Sequence, residues 1–150
     1  MEETHMLLGA LEAGGTKMVM AVGNEKGEIL EQRSIPTQTP DITVPTMIDY
    51  FKSKGIAALG IGSFGPIDLD KSSKTYGYIT STPKLSWANY NIVGTMKEAL
   101  RIPVGFDTDV NASVLGELTW GSLMGLSSGI YITIGTGVGV GVFVNGSLLH

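Results

Sequence analysis

The chain has 150 residues, 43% of them hydrophobic and 16% charged, and its formal net charge is −4. This composition suits one packed core, argues against disorder, and leaves no basic face for nucleic acid or anionic lipid. The sequence contains no cysteine and no apolar run long enough to span a bilayer, which excludes disulfides, thiolate metal sites and a membrane helix within it. We therefore expect a cytoplasmic protein without nucleic-acid or membrane partners.

The first half of the sequence predicts a meander of strands, then a helix and a buried strand. Short apolar segments alternate with turns rich in glycine, which is typical of strands joined by hairpins. Gly55 is a helix stop after a stretch with apolar residues on one face. The predicted elements are strands at 7–10, 18–22, 29–35 and 57–62, and a helix at about 44–54.

The second half predicts alternating helices and strands after a long irregular connection. Residues 67–90 are rich in Ser, Thr, Lys and Tyr, and a connection of that length in a compact domain is usually functional or mobile. The elements predicted after it are a helix at 91–101, a strand at 103–106, a helix at 110–118, and strands at 129–134 and 138–144.

The order of these elements predicts an α/β fold with a mixed five-stranded sheet, as in ribonuclease H. We assign that domain to residues 1–126. The last two strands repeat the opening pattern of strand, Gly-Thr turn and strand, so they do not complete the first sheet. We interpret residues 127–150 as the opening hairpin of a second, similar domain that this chain does not finish.

Two glycine turns are candidates for phosphate binding. Turns without side chains let backbone N–H groups approach phosphate oxygens, and a neighbouring hydroxyl or lysine adds a donor. Alternatively, the glycines only permit tight turns between strands. Two such turns with acidic residues nearby favour phosphate binding. The candidates are Gly14, Gly15, Thr16 and Lys17 in the first glycine turn, and Gly135, Thr136, Gly137 and Gly139 in the second.

Two acidic residues stand where predicted strands end. Glu12, at the first glycine turn, suits holding Mg²⁺ through water, or it is an ordinary solvated glutamate. Asp109 lies between a strand and a helix, where ligands meet the carboxyl ends of strands in α/β domains. Its carboxylate is placed to accept a proton from a substrate hydroxyl, although Asp is also a preferred helix N-cap.

Other polar and aromatic residues keep two interpretations from sequence alone. Asp107 and Asn111 also suit helix capping, and Glu117 suits an exposed helix surface. Trp87 and Tyr90 fit either stacking on a sugar or covering the core. The two histidines stand alone in the sequence and support no metal or catalytic site.

Five motifs together resemble those of the ROK sugar kinases, within the actin, hexokinase and Hsp70 ATPase superfamily. They occur in the expected order over nearly the whole chain. Residues 12–17 (EAGGTK) and 134–141 (IGTGVGVG) resemble the family's two phosphate motifs. Residues 60–68 (GIGSFGPID) resemble the loop that borders the sugar, and residues 82–87 (TPKLSW) resemble the TPNLxxW region. Residues 107–112 (DTDVNA) resemble ENDANA, whose Asp is the catalytic base.

The resemblance implies an actin-like ATPase fold that phosphorylates a hexose with ATP and Mg²⁺ by closing two lobes. It implies that Asp109 is the general base and that Glu12, in place of the usual Asp, holds Mg²⁺ through water. It also implies structural zinc, with ligands beyond residue 150, and we expect a homodimer. The residues implied to contact the sugar are Gly65, Lys84, Thr108, Asn111 and Glu117.

Two departures from the family pattern bear on the substrate. Thr108 and Lys84 stand where glucose-preferring members have sugar-binding Asn residues. A site built to hydrogen-bond particular hydroxyls changes its preference when those partners change. Because EAGGTK, TPKL and DTDVNA are similar to the bacterial fructokinases of this family, we expect fructose 6-phosphorylation, with mannose or another hexose next.

Three other classes of protein fit the sequence less well. Sugar-sensing regulators of the same family carry an N-terminal helix-turn-helix, for which the residues before the first strand leave no room. A ribonuclease H-like nuclease needs several carboxylates around two metals, and a chaperone-type ATPase would hydrolyse ATP without any sugar. We also expect that residues 1–150 alone neither fold stably nor turn over substrate.

Overall fold

The computed structural model describes residues 6–135 and 137–150, so the candidate phosphate ligand Thr136 lies outside the described residues. None of the helices in this described part is both long and apolar enough to cross a membrane. The strands are β1 (Leu7–Ala13), β2 (Lys17–Asn24), β3 (Ile29–Pro36), β4 (Ala58–Ser63), β5 (Tyr78–Ile79), β6 (Tyr90–Asn91), β7 (Val104–Thr108), β8 (Gly129–Ile134), β9 (Val138–Val144) and β10 (Ser147–Leu148). The helices are α1 (Pro40–Lys52), α2 (Ile92–Leu100) and α3 (Asp109–Trp120), with a 3₁₀ turn at Leu85–Trp87.

The main sheet has five strands in the order β3-β2-β1-β4-β7. Strands β1, β2 and β3 are antiparallel neighbours, whereas β4 runs parallel to β1 and β7 runs parallel to β4. The predicted α/β fold with a mixed five-stranded sheet is confirmed. Because the three parallel strands end at one edge of the sheet, the loops that follow them lie side by side there.

Alternation along the strands builds the core on one face of this sheet. In β2, Met18, Met20 and Val22 are buried, while the residues between them are partly exposed, as the period of two requires. These side chains belong to one cluster with Phe51 of α1 and Met96 of α2. Full burial of a side chain of this size contributes about 1.5–3 kcal/mol. The cluster therefore holds α1 and α2 against the sheet.

The opposite face of the sheet is lined by small residues and is approached by α3. A side-chain carbon added at Gly62 would lie 2.8 Å from Cβ of Ala112 in α3, so glycine is required there for the helix to approach. The register places two rows of residues on this face. The first row is Ala10, Gly60 and Gly105. The second row lies nearer the carboxyl edge and is Glu12, Gly62 and Asp107.

Helix α1 differs from its prediction at both ends. It begins at Pro40, includes Pro45 and ends at Lys52, whereas the sequence predicts about 44–54. Proline interrupts helix interiors, which favours a later start. However, Pro40 occupies the first turn, where a missing N–H leaves no helical bond unmade. The Thr39 carbonyl oxygen then accepts a hydrogen bond from the Thr43 N–H at 2.9 Å, which closes the turn.

Strands β8, β9 and β10 form a separate three-stranded antiparallel sheet, and β8 and β9 have their predicted bounds. One face of this sheet packs on the first turn of α3, where Gly141 closely approaches the backbone of Val110. The other face, here called the apolar face, is exposed. Its members are Ile130, Ile132, Ile134, Val138 and Val140.

Candidate functional site

The candidate site lies at the carboxyl edge of the main sheet, where β1, β4 and β7 end. Glu12 is the register partner of Gly62, and Gly62 is the register partner of Asp107. Neighbouring strands are about 4.8 Å apart, so the Cα atoms of the two acids lie on the order of 10 Å apart. Since Gly62 has no side chain, the first turns of α3 lie directly above the sheet between these two acidic positions.

A cleft of about 620 Å³ between this face of the sheet and α3 contains both candidate acids, Glu12 and Asp109. Asp107 and Ser113 also line it, together with apolar side chains. The two acids predicted from separate motifs are therefore brought together in one cleft.

The Glu12 side chain is exposed and makes no hydrogen bond or ion pair within the described residues. Across those residues there is no group of three or more His, Cys, Asp or Glu side chains that would hold a metal ion. A metal ion at Glu12 would thus take most of its ligands from water and from a bound phosphate, as Mg²⁺ commonly does.

Asp109 is the first residue of α3 and is partly buried. The N-cap is Thr108, whose hydroxyl oxygen accepts a hydrogen bond from the Asn111 N–H at 3.1 Å. The alternative that Asp109 serves as the N-cap is therefore wrong. One carboxylate oxygen of Asp109 accepts from the Val110 N–H at 2.9 Å. Within the described residues the other oxygen has no partner, so it is available to a ligand in the cleft.

Asp107 ties the end of β7 to α3 and to the second sheet. Its Oδ1 accepts hydrogen bonds from the Thr108 N–H at 2.7 Å and from Nδ2 of Asn111 at 2.9 Å. Its Oδ2 lies 2.8 Å from Nε2 of His150. The Asn111 amide also donates to the Leu149 carbonyl oxygen at 3.2 Å. This network places His150 against Asp107, two residues before the catalytic candidate Asp109, although nothing in its sequence context indicated a role.

Asn111 is buried, and the amide nitrogen of its side chain is used in the network. The structure thus gives it an internal role, and its contact with sugar stays a prediction.

The first glycine turn joins β1 to β2, and its two glycines, Gly14 and Gly15, differ in how closely other atoms approach them. The Gly14 N–H donates to the Lys17 carbonyl oxygen at 3.0 Å, and a side-chain carbon at Gly14 would lie 2.5 Å from that oxygen. A carbon added at Gly15 would have no neighbour within 4 Å. The turn therefore needs glycine at its first position for closure and offers open space at its second.

The second glycine turn, between β8 and β9, is also open. The Gly135 N–H donates to the Gly137 carbonyl oxygen at 2.9 Å, and a carbon added at either glycine would meet nothing within 4 Å. Gly139 is different, because a carbon there would lie 2.8 Å from Val110 Cγ1 and 3.1 Å from Thr133 Cγ2. Its lack of a side chain serves packing against α3, and its contact with phosphate stays a prediction.

The remaining sugar candidates are spread more widely. Gly65 follows β4, in a loop whose Phe64 N–H donates to the Ala13 carbonyl oxygen at 2.8 Å. The Lys84 ammonium donates to the Thr37 carbonyl oxygen at 3.2 Å. Glu117 accepts from the Ser122 N–H at 2.8 Å and lies eight residues after Asp109, or about 12 Å along α3. The structure therefore brings Gly65 to the carboxyl edge and does not bring Glu117 there.

Trp87 is completely buried, and its indole N–H donates to the Gln38 carbonyl oxygen at 2.7 Å. Its ring packs edge-on against Phe64 and Tyr90, with centroids 6.2 and 5.3 Å away. Of the two interpretations, covering the core is confirmed for Trp87 and stacking on a sugar is wrong.

The long connection after β4 contains a polar loop organised by Asp68. The hydroxyls of Ser73 and Thr75 donate to one carboxylate oxygen of Asp68 at 2.6 and 2.7 Å, and the Asp70 N–H donates to the other at 3.0 Å. The Ser73 hydroxyl, followed by the Thr75 hydroxyl, holds the pKa of Asp68 below its ordinary value. These bonds favour the ionised carboxylate, so the loop keeps its order at neutral pH.

Comparison with known proteins places this geometry in a family. The model of the ROK family matches residues 8–150. A fructokinase of Lactococcus lactis subsp. cremoris is 53% identical over 138 residues, covering 92% of this chain and 47% of the relative. A fructokinase of Streptococcus mutans is 49% identical over 145 residues, covering 95% of this chain and 49% of the relative.

The fold matches a solved structure of the same family. A ROK family glucokinase of Streptomyces griseus, in complex with glucose and AMPPNP, superposes with a TM-score of 0.77 and is 28% identical. The match covers 95% of this chain and 46% of that one. The chain thus spans about half the length of the curated relatives it matches. Because the family model matches this chain over residues 8–150, the chain belongs to the ROK family.

Proposed function

We propose that this chain is the N-terminal half of an ATP-dependent hexose kinase, with residues 1–126 as one lobe and 127–150 as the opening of the second. The observation that carries the proposal is the cleft shared by Glu12 and Asp109 at the ends of three parallel strands. The open first glycine turn follows Glu12 at the same edge. Relatives named fructokinase support the activity.

In the proposed reaction Asp109 is the general base. The free carboxylate oxygen of Asp109 accepts the proton of a sugar hydroxyl while the hydroxyl oxygen attacks the γ-phosphorus of ATP. The bond between the γ-phosphorus and the oxygen of the β-phosphate breaks, and ADP is released. The hydrogen bond from the Val110 N–H fixes the carboxylate at the start of α3. The Thr108 cap holds the first turn of the helix, so the base keeps its orientation while the proton moves.

The residues present fit Mg²⁺ bound to ATP better than Mg²⁺ bound to protein alone. Glu12 is a free carboxylate beside an open glycine turn, and this donor set suits a hydrated cation that also contacts phosphate. When bound, the cation neutralises charge on the transferring phosphoryl group. Glu12 would orient its water ligands. The zinc expected from the family resemblance has its ligands beyond residue 150 and stays an expectation.

We propose D-fructose as the sugar, phosphorylated at its 6-hydroxyl. Two observations support that choice. Relatives of this chain at 49–53% identity are named fructokinase, and Thr108 and Lys84 stand in place of the Asn residues of glucose-preferring members. Thr108 uses its hydroxyl oxygen as a cap but keeps the hydroxyl proton for a sugar oxygen.

The test is sugar-dependent ADP release by the full-length kinase with ATP and Mg²⁺, using fructose, mannose, glucose and N-acetylated sugars. We expect the highest rate with fructose and a loss of at least about a hundredfold for Asp109→Asn. Asp41→Asn, an exposed acid in the first turn of α1, is the matched control and should retain activity. If a folded protein shows no sugar-dependent release, the kinase proposal fails and a sugar-sensing regulator becomes the better explanation. A preference for mannose or glucose would overturn only the proposal that fructose is the substrate.

A further inference from the structure

Thr37 occupies a buried position between β3 and α1, and its main chain and side chain both contact the first glycine turn. It is 9% exposed. Its N–H donates to the Thr16 carbonyl oxygen at 2.9 Å, and its hydroxyl donates to the Gly14 carbonyl oxygen at 2.7 Å. Two carbonyl groups of the turn are therefore held on the side of Thr37.

The hydroxyl contact also sets the direction of a neighbouring N–H group. The Gly14 carbonyl and the Gly15 N–H belong to one peptide plane, and this peptide is trans. In a trans peptide the C=O and N–H point in opposite directions. Since the Gly14 carbonyl points to Thr37, the Gly15 N–H points away from Thr37. A side-chain carbon added at Gly15 would meet nothing within 4 Å, so this residue lies in open surroundings.

A peptide between two glycines is unusually free to rotate, because neither residue has a Cβ to restrict it. Rotation of this peptide by half a turn would direct the Gly14 carbonyl oxygen to the side that the Gly15 N–H now faces and turn the N–H towards Thr37. A carbonyl oxygen there would repel a phosphate, whereas an N–H would bind it. The Thr37 hydroxyl opposes that rotation with a hydrogen bond that lies largely out of solvent.

The same segment also meets the loop before α2. The Thr37 carbonyl oxygen accepts from the Lys84 ammonium at 3.2 Å, and the neighbouring Gln38 carbonyl oxygen accepts from the Trp87 indole at 2.7 Å. Thr37 is thus fixed from a second side by residues outside the turn. This anchoring lets it act as a rigid support for the turn.

We propose that Thr37 is a positioning residue for the nucleotide. Its hydroxyl holds the Gly14–Gly15 peptide in the orientation that directs the Gly15 N–H at a phosphate oxygen. The inference rests on the proposed function in taking ATP as the ligand. It differs from that proposal because Thr37 touches no reacting atom and acts only through the turn.

The main test compares Thr37→Val, which keeps the shape and removes the hydroxyl, with Thr37→Ser, which retains it. Binding of a non-hydrolysable ATP analogue with Mg²⁺ to the full-length protein is measured by calorimetry, so the result does not depend on catalysis. The loss of one buried hydrogen bond predicts roughly a five- to tenfold weaker Kd for Thr37→Val. Thr37→Ser should bind within about twofold of the wild type, and the KM for sugar should change in neither variant.

Thr95→Val is the matched control, because the Thr95 hydroxyl in α2 donates to the Asn91 carbonyl oxygen just before the helix, away from the turn. It should leave the Kd for the nucleotide unchanged. An unchanged nucleotide Kd in Thr37→Val, or equal losses for nucleotide and sugar, would overturn the positioning role. Failure of the kinase proposal would instead appear as normal nucleotide binding without sugar-dependent ADP release.

A second measurement covers the case in which Thr37→Val does not fold. In the ¹⁵N-labelled wild-type protein, the Gly15 amide resonance is followed as ADP and Mg²⁺ are added. A new hydrogen bond to phosphate should move the Gly15 amide proton downfield by more than that of Gly55, which lies between α1 and β4 and does not line the cleft. A Gly15 resonance that does not move on saturation would show that this N–H does not meet the phosphate.

Discussion

Glu12 and Asp109 share a cleft, but their surroundings give them different freedom. Asp109 is held by the backbone at the start of α3, which suits a base that must meet one hydroxyl. Glu12 has no partner within the described residues, which suits a group that orients mobile water ligands. This difference fits the proposed roles, in which Asp109 is a fixed proton acceptor and Glu12 an adaptable partner of the metal's water ligands.

We predict that Glu12→Gln raises the Mg²⁺ concentration needed for half-maximal ADP release roughly tenfold, because a charged acceptor of water hydrogen bonds is lost. The melting temperature should stay the same, since the carboxylate makes no internal contact in the described residues. Glu12→Asp should recover most of the metal affinity. Glu98→Gln, at an exposed position of α2, is the control. An unaltered Mg²⁺ dependence in Glu12→Gln would show that Glu12 does not help to bind the metal.

At this scale the sequence identified residues that belong to local motifs and missed those that act through distant contacts. Glu12 and Asp109 stand next to turns and helix starts, so their neighbours in sequence indicate their place. Thr37 bonds a residue 23 positions earlier, and His150 meets one 43 positions earlier. No local pattern encodes such pairs, because they arise only when the strands assemble.

At the scale of elements, the position of α3 depends on the glycines beneath it. Gly62 faces Ala112 and the backbone of Asp109, so the helix that carries the proposed base lies directly on β4. Gly60, two residues earlier on the same strand, has no neighbour within 4 Å. Gly62 therefore sets the distance between α3 and the sheet, whereas Gly60 does not.

We predict that Gly62→Ala lowers the free energy of unfolding by about 1–3 kcal/mol, because the added methyl group overpacks the contact with Ala112. Since the first turn of α3 must move, kcat should also fall by about one to two orders of magnitude. Urea unfolding and steady-state kinetics measure the two effects. Gly60→Ala should stay within about 0.5 kcal/mol of the wild type. Full activity in Gly62→Ala would show that the distance between α3 and the sheet does not affect catalysis.

The longer strands were predictable from short apolar segments between turns, and β8 and β9 have their predicted bounds. The two-residue strands β5, β6 and β10 were not predicted. The boundaries of the helices were less predictable from the sequence. Pro45 is the sixth of the thirteen residues of α1, where proline normally argues for a break, and the helix nevertheless continues through it. The N-cap of α3 is Thr108 although Asp109 is also a good capping residue, and only the backbone geometry decides between such neighbours.

At the scale of the whole molecule, the apolar face of the second sheet is the largest departure from a self-contained fold. Ile134 and Val138 are 81% and 71% exposed, and they pair across β8 and β9. Contiguous exposed apolar surface of this kind normally meets another protein surface. A second lobe built on this sheet, as proposed above, would cover it.

We predict that residues 1–150 produced alone associate through this face and show no kinase activity. Light scattering over a range of protein concentrations should give a mass that rises with concentration. Replacing the paired Ile132 and Val140 by Lys and Glu should reduce the association, because a charged pair remains soluble on an exposed strand face. A cooperative, monomeric fragment that phosphorylates fructose would contradict the prediction.

The three strand ends that make the cleft come from residues near 12, 62 and 107, and each lies about 45–50 positions from the next. During synthesis none of the cleft exists until most of the first lobe has left the ribosome, and closing such long loops slows folding. A nucleotide that spans these ends would join segments far apart in the chain. It should therefore retard unfolding of the whole sheet, so that resistance to proteolysis in the cell rises and falls with the nucleotide supply.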